Sequence, residues 1–367
     1  MPTAVSGKRK IASTLALIVL PALMFVSGCV ISGCDRTTAP PGSETSKLGK
    51  DDEPARSRKK IRKSGSAKTL LKKVRFWAYQ IQNQNENGNI KKLAASHYDL
   101  LVIDQTRSLK GDENYDSKAD VSILKNSPNS RRLSDERKLV VCYLDVGEAE
   151  SYRWYWKQEW KVGAPEWIVA KDPGGWDENY PVKFWRDEWK SIMKQNLDRI
   201  IDDGYDGIYL DWLEVYSFEP VAGAAASEGL DARIELTNFV AELSQYAHSK
   251  KPDFLFIAQN AAELETFPDY TKLFNAIAQE AVWYDGTGDP DSGEYPGDEP
   301  VDVDESDELV ELLKKWQKLG KPVLNVEYAG EDANIKDAYL QGGKNGFKTY
   351  VTLRALDKLT STPPPRY

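Results

Sequence analysis

Histidine and cysteine are nearly missing from this sequence, at two and three among 367 residues. His97 and His248 with Cys29, Cys34 and Cys142 cannot furnish a Cys/His zinc site or a dense disulfide framework, and no metal site is expected. A basic surplus is missing too. Lys and Arg number 49 against 57 Asp and Glu, for a net charge of −8 and a pI near 5.2, which argues against a nucleic-acid binder. No Gly-rich loop follows the first strand-like run, so the phosphate cradle of an open nucleotide-binding sheet is lacking. What is present is ample: 41% hydrophobic and 11% aromatic residues can bury a large core, and global disorder is excluded. Chemistry then falls to carboxylates, amides, hydroxyls and aromatic rings.

The first residues read as an address. Lys8, Arg9 and Lys10 precede an apolar run from Leu15 to Val26, too short for a comfortable membrane span but suited to the core of a secretory signal. The run ends in Val26-Ser27-Gly28-Cys29, which resembles a bacterial lipobox, and a second match, Ile31-Ser32-Gly33-Cys34, follows it. Cleavage before Cys29 and its lipidation are expected, giving an extracytoplasmic lipoprotein held to a membrane by its N-terminal anchor. An uncleaved N-terminal anchor is the alternative, disfavoured by Pro21 within the run. From Cys29 to residue 70 the chain is rich in Pro, Ser, Thr, Lys and Asp and reads as a disordered tether. The expected organisation is therefore a signal peptide over 1–28, the tether over 29–70, one catalytic domain over 71–360 and a short tail over 361–367.

From Val74 onward, apolar runs alternate with longer amphipathic stretches, the pattern of parallel β/α units. The runs cover 74–81, 100–105, 140–145, 207–212, 254–260, 276–282, 323–329 and 347–352. Between them the clearest helices are expected over 185–203, 231–249 and 306–319. Eight strands in this length match a (β/α)8 TIM barrel.

The active face of such a barrel lies at the C-terminal ends of its strands. Five of the eight runs end at or beside a carboxylate: Asp104, Asp145, Asp211, Glu280 and Glu327. Barrel packing does not ask for that convergence, and a buried carboxylate is costly without a partner. Paired acids are the minimum machinery of glycoside hydrolysis, one protonating the leaving oxygen and the other attacking the anomeric carbon or activating water. Strands four and six contribute to the same layer of a barrel whereas strand seven belongs to the next, which favours pairing Asp211 with Glu280 over Asp211 with Glu327. Aromatic residues crowd the stretch between the third and fourth runs, where Trp154, Trp156, Trp160, Trp167, Trp176, Trp185, Trp189 and Trp212 make eight of eleven tryptophans. Most of them read as packing, Trp185 and Trp189 in particular, while rings left at the mouth suit sugar faces.

The stretches YLDVGEAESYRWYW (143–156), GYDGIYLDWLEVY (204–216), AIAQEAVWY (276–284), GKPVLNVEYA (320–329) and GFKTYVTLRALDKL (346–359) resemble glycoside hydrolase family 114, the endo-α-1,4-polygalactosaminidases. The similarity runs through about residues 74 to 359. It implies a cofactor-free barrel hydrolase that cuts internally in α-1,4-linked galactosamine polymers, with the catalytic pair falling on Asp211 and Glu280. Tyr79, Asp104, Asp145, Glu148, Tyr209, Asn260, Glu327 and Arg354 are the expected substrate-binding residues. The partner would be a galactosamine-containing polysaccharide, with no nucleic acid, and the protein is expected to be a monomer. The alternative is a catalytically inactive carbohydrate-binding or envelope-assembly lipoprotein on the same barrel.

The segment from Asp285 to Glu308 holds eleven acids and neither Lys nor Arg. Following the sixth strand, it would overhang the mouth, where a negative rim concentrates a cationic polymer. A solvated acidic loop without a role is the plainer reading. Calcium is a third, without the spacing of an EF-hand loop.

Overall fold

The computed structural model describes residues 65–86, 88–127, 137–173, 178–286 and 297–360. Cys29, Cys34, the tether as far as residue 64, Trp176, the middle of the acidic segment and the tail from 361 lie outside the described residues. The last residues expected in the tether instead enter a helix, Ala67–Leu71, that buries Ala67, Leu70 and Leu71. Eight parallel strands follow one another in chain order around a barrel: β1 (Trp77–Gln80), β2 (Leu100–Ile103), β3 (Leu139–Asp145), β4 (Gly207–Asp211), β5 (Leu255–Gln259), β6 (Ala276–Glu280), β7 (Val323–Tyr328) and β8 (Lys348–Thr352). Each falls within one of the apolar runs, give or take a residue. Helices cover the outer face, so the strands are buried on both sides and read as near-continuous apolar runs rather than alternating ones.

Helices Asp187–Asp202 and Ala232–Lys250 lie where periodicity places them. The helix expected from Ser306 starts earlier, at Val303, with Asp302 as its cap accepting from the Asp304 amide at 3.0 Å. Ser306 does other work. Its hydroxyl donates to the Val282 carbonyl at 2.7 Å, tying the helix to the exit of β6. Asp302, Asp304 and Glu305 thus find a structural reason in the acidic segment, at the positive end of a helix.

Side chains from register partners on adjacent strands point to the same face, and successive ones alternate. Tyr143 pairs with Tyr209, Asp145 with Asp211, Val326 with both Glu280 and Tyr350. The interior is therefore aromatic where barrels usually hold Val, Ile and Leu. Tyr79 packs 5.1 Å from Tyr209 and 6.5 Å from Tyr143 between ring centres, and Trp77 lies 6.0 Å from Tyr350.

The barrel closes without a regular ladder between β8 and β1 among the described residues. The Trp77 indole N–H donates to the Lys348 carbonyl at 2.6 Å. Above it, the amides of Ile81 and Gln82 both donate to the Leu356 carbonyl at 3.1 Å. A third link is the Gln80 side chain, which donates to the Asp357 carbonyl at 3.1 Å.

Candidate active site

Asp211 ends β4 pointing into the barrel mouth, and its two oxygens have separate donors. Oδ1 accepts from the Trp212 amide at 2.9 Å and Oδ2 from the Tyr143 hydroxyl at 2.7 Å. Burial, with Glu280 and Glu214 nearby, nevertheless holds this carboxyl well above the ordinary range. Glu280 ends β6 on the same inward face. It accepts from the Tyr328 hydroxyl and, at 3.3 Å, from the Asn260 amide. Burial raises it too, while Tyr328, Arg354 and Asn260 pull the other way. Burial pushes both carboxyls up, and the Glu280 charge adds to the rise of Asp211, so the two titrate as a linked pair rather than independently.

Backbone geometry aims this pair. Trp212, Asn260 and Ala281, the residues directly after β4, β5 and β6, adopt left-handed φ of 57°, 57° and 49°. None is glycine, so each turn costs about 1 kcal/mol or more and is held by its surroundings. Asn260 shows how. Its side chain donates to Glu214 at 3.0 Å and to Glu280, and its carbonyl accepts from the Glu280 amide at 3.2 Å and from Gln279 at 3.0 Å. Asn260 is thus a bracket between two acids, with both ends of its amide engaged.

Glu214 was not anticipated from the sequence. It follows Asp211 by three residues in a 3-10 turn, Leu213–Ser217, whose period returns position 214 above the strand end. Burial pushes it up to about 7. The D-x-x-E spacing after an apolar run was the available signal. Tyr143 and Tyr328 were equally invisible, because a tyrosine within a strand reads as packing until the register shows its hydroxyl beneath a carboxylate.

Three expected substrate-binding residues have other work. Glu327 pairs in register with Val351, and its neighbour Val326 pairs with Glu280, so Glu327 points away from the lumen. It is fully buried and accepts from the amides of Val282, Trp283 and Tyr284 at 3.1, 3.0 and 2.8 Å and from Asn325 at 2.6 Å. Burial outweighs these donors and pushes it up to about 7. It fastens the chain leaving β6, and the rival pairing of Asp211 with Glu327 is overturned by the alternation of side chains along β7. Tyr79 and Tyr209 are wholly buried one layer below the carboxylates, forming the floor. Only a weak contact at 3.5 Å links the Tyr79 hydroxyl to Gln259.

Asp104 is also accounted for by structure. Arg153 spans it at 2.7 Å and Glu150 at 2.7 Å, and also donates to Ser108 at 2.6 Å. Burial pushes Asp104 up to about 6 against the pull of Arg153. Arg354 is anchored by the Gly286 carbonyl at 2.6 Å and lies 3.8 Å from Asp285. Asp145 and Glu148 remain near the pair. Asp145 shares its register level with Asp211, and Glu148 opens a short hairpin, Glu148–Glu150 with Asn179–Pro181. Gly147 between them is required, since a Cβ there would meet the Trp212 carbonyl at 2.4 Å. Among the tryptophans, Trp189, Trp167 and Trp185 are core. Trp212, Trp156 and Trp160 keep partial exposure, with Trp156 stacked 4.7 Å from Tyr180. No group of His, Cys, Asp and Glu that could hold a metal occurs among the described residues.

A parallel eight-stranded barrel with paired carboxylates at the carboxyl ends of β4 and β6 defines a barrel glycoside hydrolase. The chain belongs to glycoside-hydrolase family GH114, whose model matches residues 62–364. It is 31% identical over 299 residues to an uncharacterized protein of Deinococcus radiodurans, covering 82% of this chain and 87% of that one. It is likewise 32% identical over 299 residues to the uncharacterized protein MJ1477 of Methanocaldococcus jannaschii, covering 78% of each. Among solved structures it shares its fold with the glycoside hydrolase domain of PelA from Pseudomonas aeruginosa, at TM-score 0.56 and 19% identity over 78% of this chain and 98% of that one. Aspergillus fumigatus Ega3, solved in complex with galactosamine, matches at TM-score 0.53 and 18% identity over 77% and 92%.

Proposed function

We propose that this protein hydrolyses internal α-1,4 bonds in a galactosamine-containing, cationic polysaccharide, with Asp211 and Glu280 as the two catalytic carboxyls. The observation that carries the reading is the placement of two buried carboxyls at the ends of β4 and β6, each held by a tyrosine hydroxyl. One acid protonates the leaving oxygen and the other, ionised, attacks the anomeric carbon or activates water. Tyr143 and Tyr328 hold the two groups by one hydroxyl each, and Asn260 fixes Glu280 relative to Glu214. The charge around the pair favours a cationic substrate. Asp145, Glu148 and Glu214 add to it, while Arg153 is committed to Asp104 and Glu150. The fold shared with Ega3, which was solved with galactosamine, supports the same sugar.

The test is the chain-length distribution of a galactosamine polymer incubated with purified protein. Internal cutting shortens the average chain before monomers accumulate. Asp211→Asn and Glu280→Gln should each lower turnover by at least about 10³-fold with unchanged thermal unfolding below pH 6, since each removes a needed charge or proton at constant shape. Near-normal turnover by either variant would refute the assignment. We also propose that the enzyme works outside the cytoplasm as a monomer, anchored through a lipidated Cys29. Mass spectrometry of the mature N-terminus checks this, and a start at Cys34 or an unmodified start overturns it.

A further inference from the structure

Asp145 and Glu148 are a charge problem that the protein does not solve with its own residues. Asp145 is 1% exposed and Glu148 is 0% exposed. Each uses one carboxylate oxygen only. Asp145 Oδ1 accepts from the amides of Gly147 and Glu148 at 3.0 and 2.8 Å, and Glu148 Oε2 accepts from Asn179 at 3.1 Å. The other oxygens, Asp145 Oδ2 and Glu148 Oε1, are buried with no hydrogen-bond donor. A buried carboxylate oxygen left without a donor is among the costlier defects a fold can carry. The groups acting on the pair give no relief. Glu150 and Asp211 bear on Asp145, and Asp172 and Asp211 on Glu148, all of them carboxylates.

Position supplies the missing partner. Asp145 and Asp211 are register neighbours on β3 and β4, and adjacent strands run about 4.8 Å apart. A sugar ring whose anomeric carbon is engaged by Asp211 therefore lies against Asp145 as well. In a 2-amino sugar the nitrogen is carried on the carbon next to the anomeric one. With that carbon turned toward β3, the group that meets Asp145 is a primary ammonium, a donor of three hydrogen bonds and one positive charge.

We propose that Asp145 and Glu148 form a subsite for the ammonium group of a 2-amino sugar, beside the reacting bond. This deepens the galactosaminidase reading and rests on it for the identity of the sugar. The two unengaged oxygens receive the ammonium, while the engaged ones keep the turn at Gly147 and the hairpin in place. Burial raises both carboxyls, whereas an arriving cation favours their charged forms, so binding shifts the pair toward proton release.

The experiment measures binding by calorimetry at pH 7, in buffers of different ionisation enthalpy, using galactosamine and N-acetylgalactosamine as probes on the full chain. Wild type should bind galactosamine at least about 10-fold more tightly than its N-acetyl form and release protons on doing so. Asp145→Asn and Glu148→Gln each replace only the unengaged oxygen by an amide, since the remaining oxygen still accepts from the same donors. Both should lose the preference for the free amine and the proton release, with melting temperatures at or above wild type. Equal affinity for the two sugars in wild type, or an undiminished preference in both variants, overturns the subsite. Polymer cleavage is scored separately, so a protein that binds the amine without cutting would sink the hydrolase reading and leave the subsite standing.

Discussion

Tyr143 and Tyr328 are the residues on which the acid pair turns. Each hydroxyl donates to one carboxylate and so favours its ionised form. Tyr143→Phe and Tyr328→Phe should therefore each move to higher pH, by about one unit, the limb of the kcat/KM profile that its own carboxyl sets, and cost about 10-fold at the optimum. Glu214 acts with the opposite sign, its charge raising Asp211. Glu214→Gln should move the limb of that residue to lower pH. Superimposable profiles for all three variants would show that none of these groups tunes the pair. At this scale the sequence was readable only in part. Asp211 and Glu280 stand out because each terminates an apolar run. The groups that tune them do not, since Tyr143 and Tyr328 look like core residues and Glu214 becomes a neighbour only once a 3-10 turn folds it back.

Among elements, the chain leaving β6 shows how a strand end is kept in place. Three consecutive amides, Val282 to Tyr284, converge on Glu327 from the neighbouring strand. Ser306 then pins the Val282 carbonyl from the helix that follows. Glu327→Gln places an NH₂ group against those amides and should destabilise the fold by about 1–3 kcal/mol, seen in urea unfolding. Faster hydrogen exchange confined to 282–284 would locate the damage, and unchanged exchange there would refute the clamp. The eight strands themselves were legible because burial on both faces makes each a short apolar block between polar stretches. Which face Glu327 occupies was not, because an acid at a strand end looks the same pointing in or out. One residue of register decides it. The early start of the helix at Val303 escaped for a related reason: Asp302 is one acid among many there, and only the backbone identifies it as the cap.

For the whole molecule, buried acids set the response to pH. Asp104 is raised to about 6, and Glu214 and Glu327 to about 7. Between roughly pH 4 and pH 7 the native state holds protons that the unfolded chain has released, so stability falls as pH rises through that window. Asp206, at the opposite end of the barrel, has the contrary sign. Arg137 and Lys125 hold it below the usual range, and its contribution is lost only in stronger acid, as pH falls through its folded value. The melting temperature should be at least about 5 °C lower at pH 8 than at pH 5, at constant ionic strength. A flat or rising curve would refute the electrostatic description. The closure of the barrel bears on a different matter, the extent of the folding unit. Among the described residues regular structure stops at Thr352, yet the Leu356 and Asp357 carbonyls latch the first strand. Thr360 accepts from Tyr98 at 2.8 Å and donates its amide to Tyr350 at 3.1 Å. The eight residues after the last strand therefore behave as a hasp across the gap. A stop codon placed after Thr352 would spare all eight strands and still leave the cylinder free to spring open along one side.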